Sequence, residues 1–129
     1  MADNDSLRPC KLNDEEVDEV GLPGALGVLG ILPGHAPLLA SLRIGEAVYR
    51  QGARERWLAM QRGFVEVVDD VVTVLADAVE HPAEIDVETA HADRAAAERA
   101  LKTAAGEEFN LQTAKLEAAV TRIAVAGRR

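Results

Sequence analysis

One cysteine, Cys10, and an aromatic content of 3% are the first shortages in this 129-residue chain. A lone thiol excludes an intramolecular disulfide and any multi-thiolate zinc site, which fits a reducing compartment. With so few aromatic rings, the core has to be built mostly from Val, Leu and Ile. Basic residues are also scarce: 14 Lys and Arg face 22 Asp and Glu, a formal net charge of −8. General nucleic-acid binding is excluded, because phosphate neutralisation needs the opposite surplus. Anionic membranes are disfavoured for the same reason. No run of about 18 apolar residues could cross a bilayer. The first twenty residues are polar and acidic, so neither a secretory leader nor a membrane insertion is expected, and the cytosol is the default.

What the chain does have is 48% hydrophobic and 28% charged residues, the balance of a folded protein. Its length suits one domain, or one compact domain with an appendage. All five prolines and eight of the ten glycines lie in residues 1–82, whereas 14 of the 23 alanines lie beyond them. That shift from turn formers and β-branched runs to helix formers predicts a boundary at His81-Pro82 between a β domain, 1–82, and a helical one, 83–129. Runs 63–68 and 71–76 are β-branched and separated only by Asp69-Asp70, a hairpin pattern. Further short strands are expected at 16–22, 27–32, 38–42, 46–50 and 55–61. Many short strands at close spacing mean a sandwich or a barrel.

Beyond Pro82 the apolar period lengthens. Asp86 is placed to cap a helix whose narrow stripe is Val87, Ala90, Ala97, Leu101 and Ala104. A second stripe runs Phe109, Leu116, Val120, Ile123, and Gly106 stands between the two as a helix terminator. Two helices folded back on each other are expected, with an alanine seam that removes little apolar area from water and so could open. Residues 107–129 carry four cations, Lys115, Arg122, Arg128 and Arg129, against Glu107, Glu108 and Glu117, a local charge of +1 in an acidic chain. The last helix therefore suits an acidic partner.

Catalytic chemistry finds little support. The glycines at 21, 24, 27 and 30 lack a P-loop ending and do not match GxGxxG spacing, so a turn-rich strand connection is the better reading. Glu88 and His91 form one Glu-x-x-His pair, but a carboxylate-bridged di-metal site needs a second. His35, His81 and His91 have no cysteine near them, and Ser6 and Ser41 lack a nucleophile elbow. The paired carboxylates at 14–16 and 69–70 suit turn tips and solvated edges. No nucleophile, base and oxyanion site assemble, so no cofactor and no metal are expected. Residues 31–39, Ile-Leu-Pro-Gly-His-Ala-Pro-Leu-Leu, are different in kind: two prolines, a glycine and a histidine specify a rigid turn, with His35 either structural or a contact residue.

At this segment the chain resembles the epsilon subunit of bacterial and chloroplast F-type ATP synthases, the counterpart of mitochondrial delta. The matching pieces stand in order: EVDEV at 16–20, LPG at 22–24, LGILPGHAPLL at 29–39, GFVEV at 63–67, VTVLAD at 72–77 and EID at 84–86. The resemblance implies an N-terminal antiparallel β-sandwich followed by a C-terminal antiparallel two-helix hairpin. It implies a non-catalytic rotor subunit that binds the gamma subunit on one side and the c-subunit ring on the other. The subunit contact would involve Val28, Leu32, Pro33, Gly34, His35, Ala36, Pro37 and Leu38. In the family the hairpin lies folded or extends toward the alpha and beta catalytic subunits and blocks hydrolysis. Lys115, Arg122, Arg128 and Arg129 would serve that inhibitory state. The place implied is peripheral, on the cytoplasmic face of a bacterial plasma membrane.

Three departures from the family pattern bear on these expectations. Residues 1–15 offer only Leu7 and Leu12 around Pro9, so the opening strand of the family is missing, shortened or irregular. Val28 stands where an acidic residue commonly contacts the ring, so that contact is altered or absent. Where ATP-binding members carry I/L-D-x-x-R-A, this chain has Ile85, Asp86, Thr89 and Ala90, with Thr89 in the arginine's place. Losing a guanidinium partner for phosphate removes about 1.5 to 3 kcal/mol, which implies weak ATP binding or none. The alternatives are a nucleotide-sensing regulatory module and a divergent relative that no longer assembles.

Overall fold

The computed structural model describes residues 10–12 and 15–128. In chain order the strands are β1 (Cys10–Leu12), β2 (Glu15–Val17), β3 (Glu19–Gly24), β4 (Gly27–Ile31), β5 (Leu38–Leu42), β6 (Gly45–Gln51), β7 (Arg54–Met60), β8 (Gly63–Val68), β9 (Val71–Ala76) and β10 (Val79–Glu80). A short 3-10 turn (Pro82–Glu84) leads to helices α1 (Val87–Leu101) and α2 (Glu107–Ala126). The expected β-then-α architecture is therefore the observed one.

The strands form one continuous sheet in the order β10-β7-β6-β3-β5-β8-β9-β1-β2, with β4 paired to β3. It folds over at the single β3–β5 pair, Gly24 with Leu42, to make two layers. Between them lie Val20, Leu22, Ile31 and Tyr49 from one layer and Leu42, Val65, Val67 and Val72 from the other, all buried. Alternation drives this: in β8 the burial pattern puts Val65 and Val67 inward and Phe64, Glu66 and Val68 outward. The β8–β9 turn is the two-residue loop expected. Asp69 and Asp70 both take positive φ, 49° and 63°, the left-handed pair a tight hairpin demands.

Every pairing is antiparallel except β1, which runs parallel to β9. Of the residues 1–15 expected to be irregular, 1–9 and 13–14 lie outside the described residues and Cys10–Leu12 form β1, while the single strand expected at 16–22 is split. Asp18 interrupts it, its carboxylate accepting the Gly52 N–H at 2.6 Å while its own N–H donates to the Arg50 carbonyl.

The helical stripes differ in detail from expectation. Asp86 caps α1, accepting the Thr89 N–H at 3.1 Å. Helix α1 ends at Leu101, so Ala104 lies outside it, and Gly106 serves as the N-cap of α2 at φ 61° rather than ending α1. Phe109 and Val120 stay exposed; Ala119, Val125 and Ala126 are the buried residues of α2. The buried residues of α1, Ala90 and Ala97, are both alanines, and Ala97 and Ala119 line a cleft between the hairpin and the sheet.

Candidate functional site

Three regions bring the sequence-predicted residues together with others that no local pattern announces. The first is the turn between β4 and β5. The His35 N–H donates to the Leu32 carbonyl at 3.1 Å, closing a turn with Pro33 second and Gly34, φ 83°, third. That is the geometry of a type II turn, in which a proline presets the first bend and a glycine takes the left-handed position. His35 Nδ1 lies 2.7 Å from the Ala36 carbonyl. A carbonyl can only accept, so Nδ1 carries the proton there and Nε2 of the neutral ring is left as an acceptor.

The turn is also pinned from far away. Asp70 Oδ1 accepts the Gly34 N–H at 2.6 Å, across 36 residues of sequence, and Asp70 is 4% exposed. Its Oδ2 is buried with no hydrogen-bond partner among the described residues. The reading of Asp69-Asp70 as a solvated turn tip holds for backbone shape and fails for Asp70, whose side chain points back into the fold. Leu32, Pro33, Gly34, Ala36 and Pro37 are exposed, and His35 and Leu38 half-buried. The turn is thus held by hydrogen bonds from both sides and carries no Asp, Glu, Lys or Arg.

The second region is the outward face of β5, β8 and β9. Phe64 pairs with Leu75 and with Ser41, which places Leu39 diagonally beside it. Leu39, Phe64 and Leu75 are all exposed, Leu39 to 74%. Three large apolar side chains on one sheet face form a patch of the kind that marks a protein interface. Inspection of the alternating runs could have found Phe64 and Leu75, because both occupy outward positions that a solvated strand would fill with polar residues.

The third region joins the hairpin to the sandwich. Ala59, Ile85, Val125 and Ala126 are buried together, with Trp57 and Val87 packed against them. Two arginines close the edges. Arg122 meets Glu80 through two bonds, Nε to Oε1 at 2.7 Å and Nη2 to Oε2 at 3.1 Å, with Asp93 at 3.8 Å. Arg128 lies with its guanidinium 3.6 Å from the centre of the Trp57 ring and donates through Nε to Glu46 at 2.7 Å. Lys115 is exposed beside the cleft between hairpin and sheet, without an ion pair among the described residues. Arg129 lies outside the described residues. Two of the four cations expected to act in an extended state are therefore engaged in the folded one.

The degenerate nucleotide-motif positions all have structural work. Ile85 is buried with Val125 and Ala126 of α2, Asp86 is the N-cap of α1, and Ala90 is buried on α1. Thr89 is exposed in the first turn of α1. The Thr89 backbone N–H and hydroxyl hold the Asp86 carboxyl below its ordinary pKa. Glu88 and His91 are exposed on α1, and no cluster of three metal-ligating side chains occurs among the described residues. No helix among them is long and apolar enough to cross a membrane.

The family model for the ATP synthase delta/epsilon chain β-sandwich domain matches residues 9–82. The chain is 48% identical to an ATP synthase epsilon chain of Geobacter metallireducens over 120 residues, 92% of this chain and 87% of the relative. It is 46% identical to ATP synthase epsilon chain 2 of Syntrophotalea carbinolica over 116 residues, 88% and 84% of the two chains. In fold it is similar to a chain in the cryo-EM structure of the Euglena gracilis mitochondrial ATP synthase OSCP/F1/c-ring, at a TM-score of 0.76 and 20% identity, covering 91% of this chain and 73% of that one.

Proposed function

The chain belongs to the ATP synthase epsilon family, non-catalytic subunits of that complex, and on that premise we propose that it is the rotor subunit between the gamma subunit and the c-ring. The sandwich, 1–82, is the rotor-binding unit. Its exposed β5–β8–β9 face, with Leu39, Phe64 and Leu75, takes gamma, and the rim from Val28 to Leu38 takes the ring. The hairpin, 83–129, is the regulatory unit, folded down by Arg122 and Arg128. In the extended state those arginines, with Lys115 and Arg129, meet the alpha and beta subunits and restrain hydrolysis. The complex places the chain on the cytoplasmic face of a bacterial plasma membrane, attached through its partners.

The observation that carries this reading is the outward face of β5, β8 and β9, where Leu39, Phe64 and Leu75 stand together in water, the kind of apolar patch that a partner covers. Calorimetry of the chain against the gamma subunit from the same source tests it. A dissociation constant at or below about 1 μM, roughly −8 kcal/mol, is expected. Phe64→Asp should weaken it at least tenfold while leaving the circular dichroism spectrum unchanged. Absence of binding by the folded wild-type chain overturns the proposal in favour of a relative that no longer assembles.

A further inference from the structure

Strand β7 is fully paired on one side only. It runs against β6 along its whole length, from Gln51 with Arg54 to Gly45 with Met60, whereas β10 covers only Ala59 and Met60 on the other side. After Glu80 the chain leaves the sheet, and Pro82, which has no N–H for a ladder, opens the 3-10 turn. The β6–β7 loop is two residues, Gly52 at φ 63° and Ala53, so Gln51 and Arg54 close it as a hydrogen-bonded pair. From there hydrogen-bonded and open pairs alternate. The main-chain groups of Arg54 and Arg56 therefore point to β6, and those of Glu55 and Trp57 point to an edge that no strand covers among the described residues.

The side chains on this edge carry charge that the fold does not answer. Leu58 and Met60 belong to the sandwich core, and Ala59 and Trp57 lie under the hairpin. By alternation Arg54 and Arg56 stand on the core side of β7, about 7 Å apart, at the end of the strand where burial falls away. Neither makes an ion pair among the described residues, and Arg56 Nε is sealed from water with no hydrogen-bond partner there. That isolation stands out in a chain with 22 carboxylate side chains.

Inward-pointing charge on an open edge guards against indiscriminate pairing, and here it also narrows the choice of partner. A second copy of this chain, laid antiparallel along the edge, would set arginine against arginine. A neutral strand would cover both guanidiniums without pairing them. A strand with acidic residues at alternate positions would put one carboxylate opposite each arginine, with Cβ atoms about 4.5 to 5.5 Å apart, while its backbone pairs with Glu55 and Trp57. The geometry points to a docking edge for an extended acidic segment of a partner polypeptide, which adds as a strand to β7, its two carboxylates meeting Arg54 and Arg56 and an apolar side chain lying beside Trp57. None of these residues belongs to the β5–β8–β9 face or to the 28–38 rim, so the inference does not rest on the rotor reading.

The test titrates the full chain with three blocked hexapeptides, read by Trp57 emission, since Trp57 is the only tryptophan, and by amide hydrogen exchange. The first peptide has two glutamates separated by one threonine in a background of threonine and valine. The second replaces that threonine by proline, which keeps the charge and removes the N–H that would bond to the Glu55 carbonyl. The third has lysine for both glutamates. The first should bind at least tenfold more tightly than either of the others and slow exchange at the Glu55 and Trp57 amides tenfold or more. Arg54→Gln and Arg56→Gln should each weaken it at least threefold with the circular dichroism spectrum unchanged. Arg54 is exposed, so its variant decides the matter even where Arg56→Gln perturbs folding. Equal affinity for the first peptide and its proline counterpart would mean attraction of charge without strand pairing, and overturns the proposal. So does binding that neither substitution weakens, and so does the absence of saturable binding at millimolar peptide.

Discussion

Replacing Arg122 by methionine should release the hairpin from the sandwich. The Arg122 side chain is 19% exposed and that of its partner Glu80 29%, so the pair is neither a surface contact worth about 0 to 1 kcal/mol nor a sealed ion pair whose breakage costs about 3 to 5 kcal/mol. Its two bonds act as one bidentate unit. Asp93, at 3.8 Å and more than half exposed, adds little. After substitution Glu80 can recover some water, which keeps the loss near 2 kcal/mol, or about 30-fold in the ratio of docked to released hairpin. Arg128 should matter less: its contact with the ring contributes about 0.5 to 1 kcal/mol and its exposed pair with Glu46 a fraction more. Arg122→Lys should recover half of the loss at most, since an ammonium cannot repeat the fork. The assay is built in, because Trp57 is the only tryptophan and lies under Arg128. Urea titration followed by Trp57 emission should show hairpin release at lower denaturant in Arg122→Met than in wild type. The reasoning fails if that midpoint moves by less than the equivalent of about 0.5 kcal/mol while Val125→Ala moves it further, since apolar contact alone would then hold the hairpin.

Asp70→Ala should remove the acceptor for the Gly34 N–H and destabilise the fold by about 1 to 3 kcal/mol, whereas Asp70→Asn, which keeps Oδ1, should retain most of the stability; thermal unfolding distinguishes them. Because the folded state depresses the Asp86 pKa, the α1 cap contributes fully above the unfolded carboxylate range, about pH 4, and that contribution is lost as pH falls through the depressed value. Helix content should therefore hold from pH 8 to 5 and decline only in stronger acid, with Asp86→Asn abolishing the Asp86 part of that dependence. In the assembled complex, replacing Lys115, Arg122, Arg128 and Arg129 by alanine should raise ATP hydrolysis if inhibition is electrostatic. Lys115→Ala alone isolates this effect, because Lys115 makes no ion pair in the folded state among the described residues. Unchanged hydrolysis at low salt would exclude an electrostatic origin.

Local chemistry made much of this molecule legible before its coordinates. The β8–β9 hairpin follows from two valine-rich runs separated by two residues, and the cap at Asp86 from a short acceptor side chain before an alanine-rich period. Gly63, in the GFVEV stretch, could be noted but not explained. A Cβ there would overlap the Leu75 carbonyl of β9, a collision visible only once the strands are paired. The ion pairs that hold the hairpin to the sandwich were illegible for the same reason: Arg122 and Glu80 are 42 residues apart, Arg128 and Glu46 82 apart. A single long-range ion pair leaves no periodicity in either partner. Composition therefore presents the four basic residues of the last segment as available to an acidic partner, whereas Arg122 and Arg128 have intramolecular ones. The exposure of Phe109 and Val120 has a similar origin, since periodicity gives a face but not which neighbouring face will cover it.

The pin between Asp70 and Gly34 also orders events during synthesis. Strand β5 has only the Gly24–Leu42 pair with β3, and its other five pairs wait for β8. The 32–37 turn therefore has neither its sheet neighbour nor its buried acceptor until residue 70 has left the ribosome, and by then more than half of the chain has been made. A domain assembled from such distant pairings closes late and in one step. On the proposed reading of this turn as a contact surface, lateness is an advantage. The nascent chain cannot present the finished turn to a neighbouring subunit before the sandwich beneath it exists, so a truncated product that lacks β8 and β9 does not carry that contact surface into the complex.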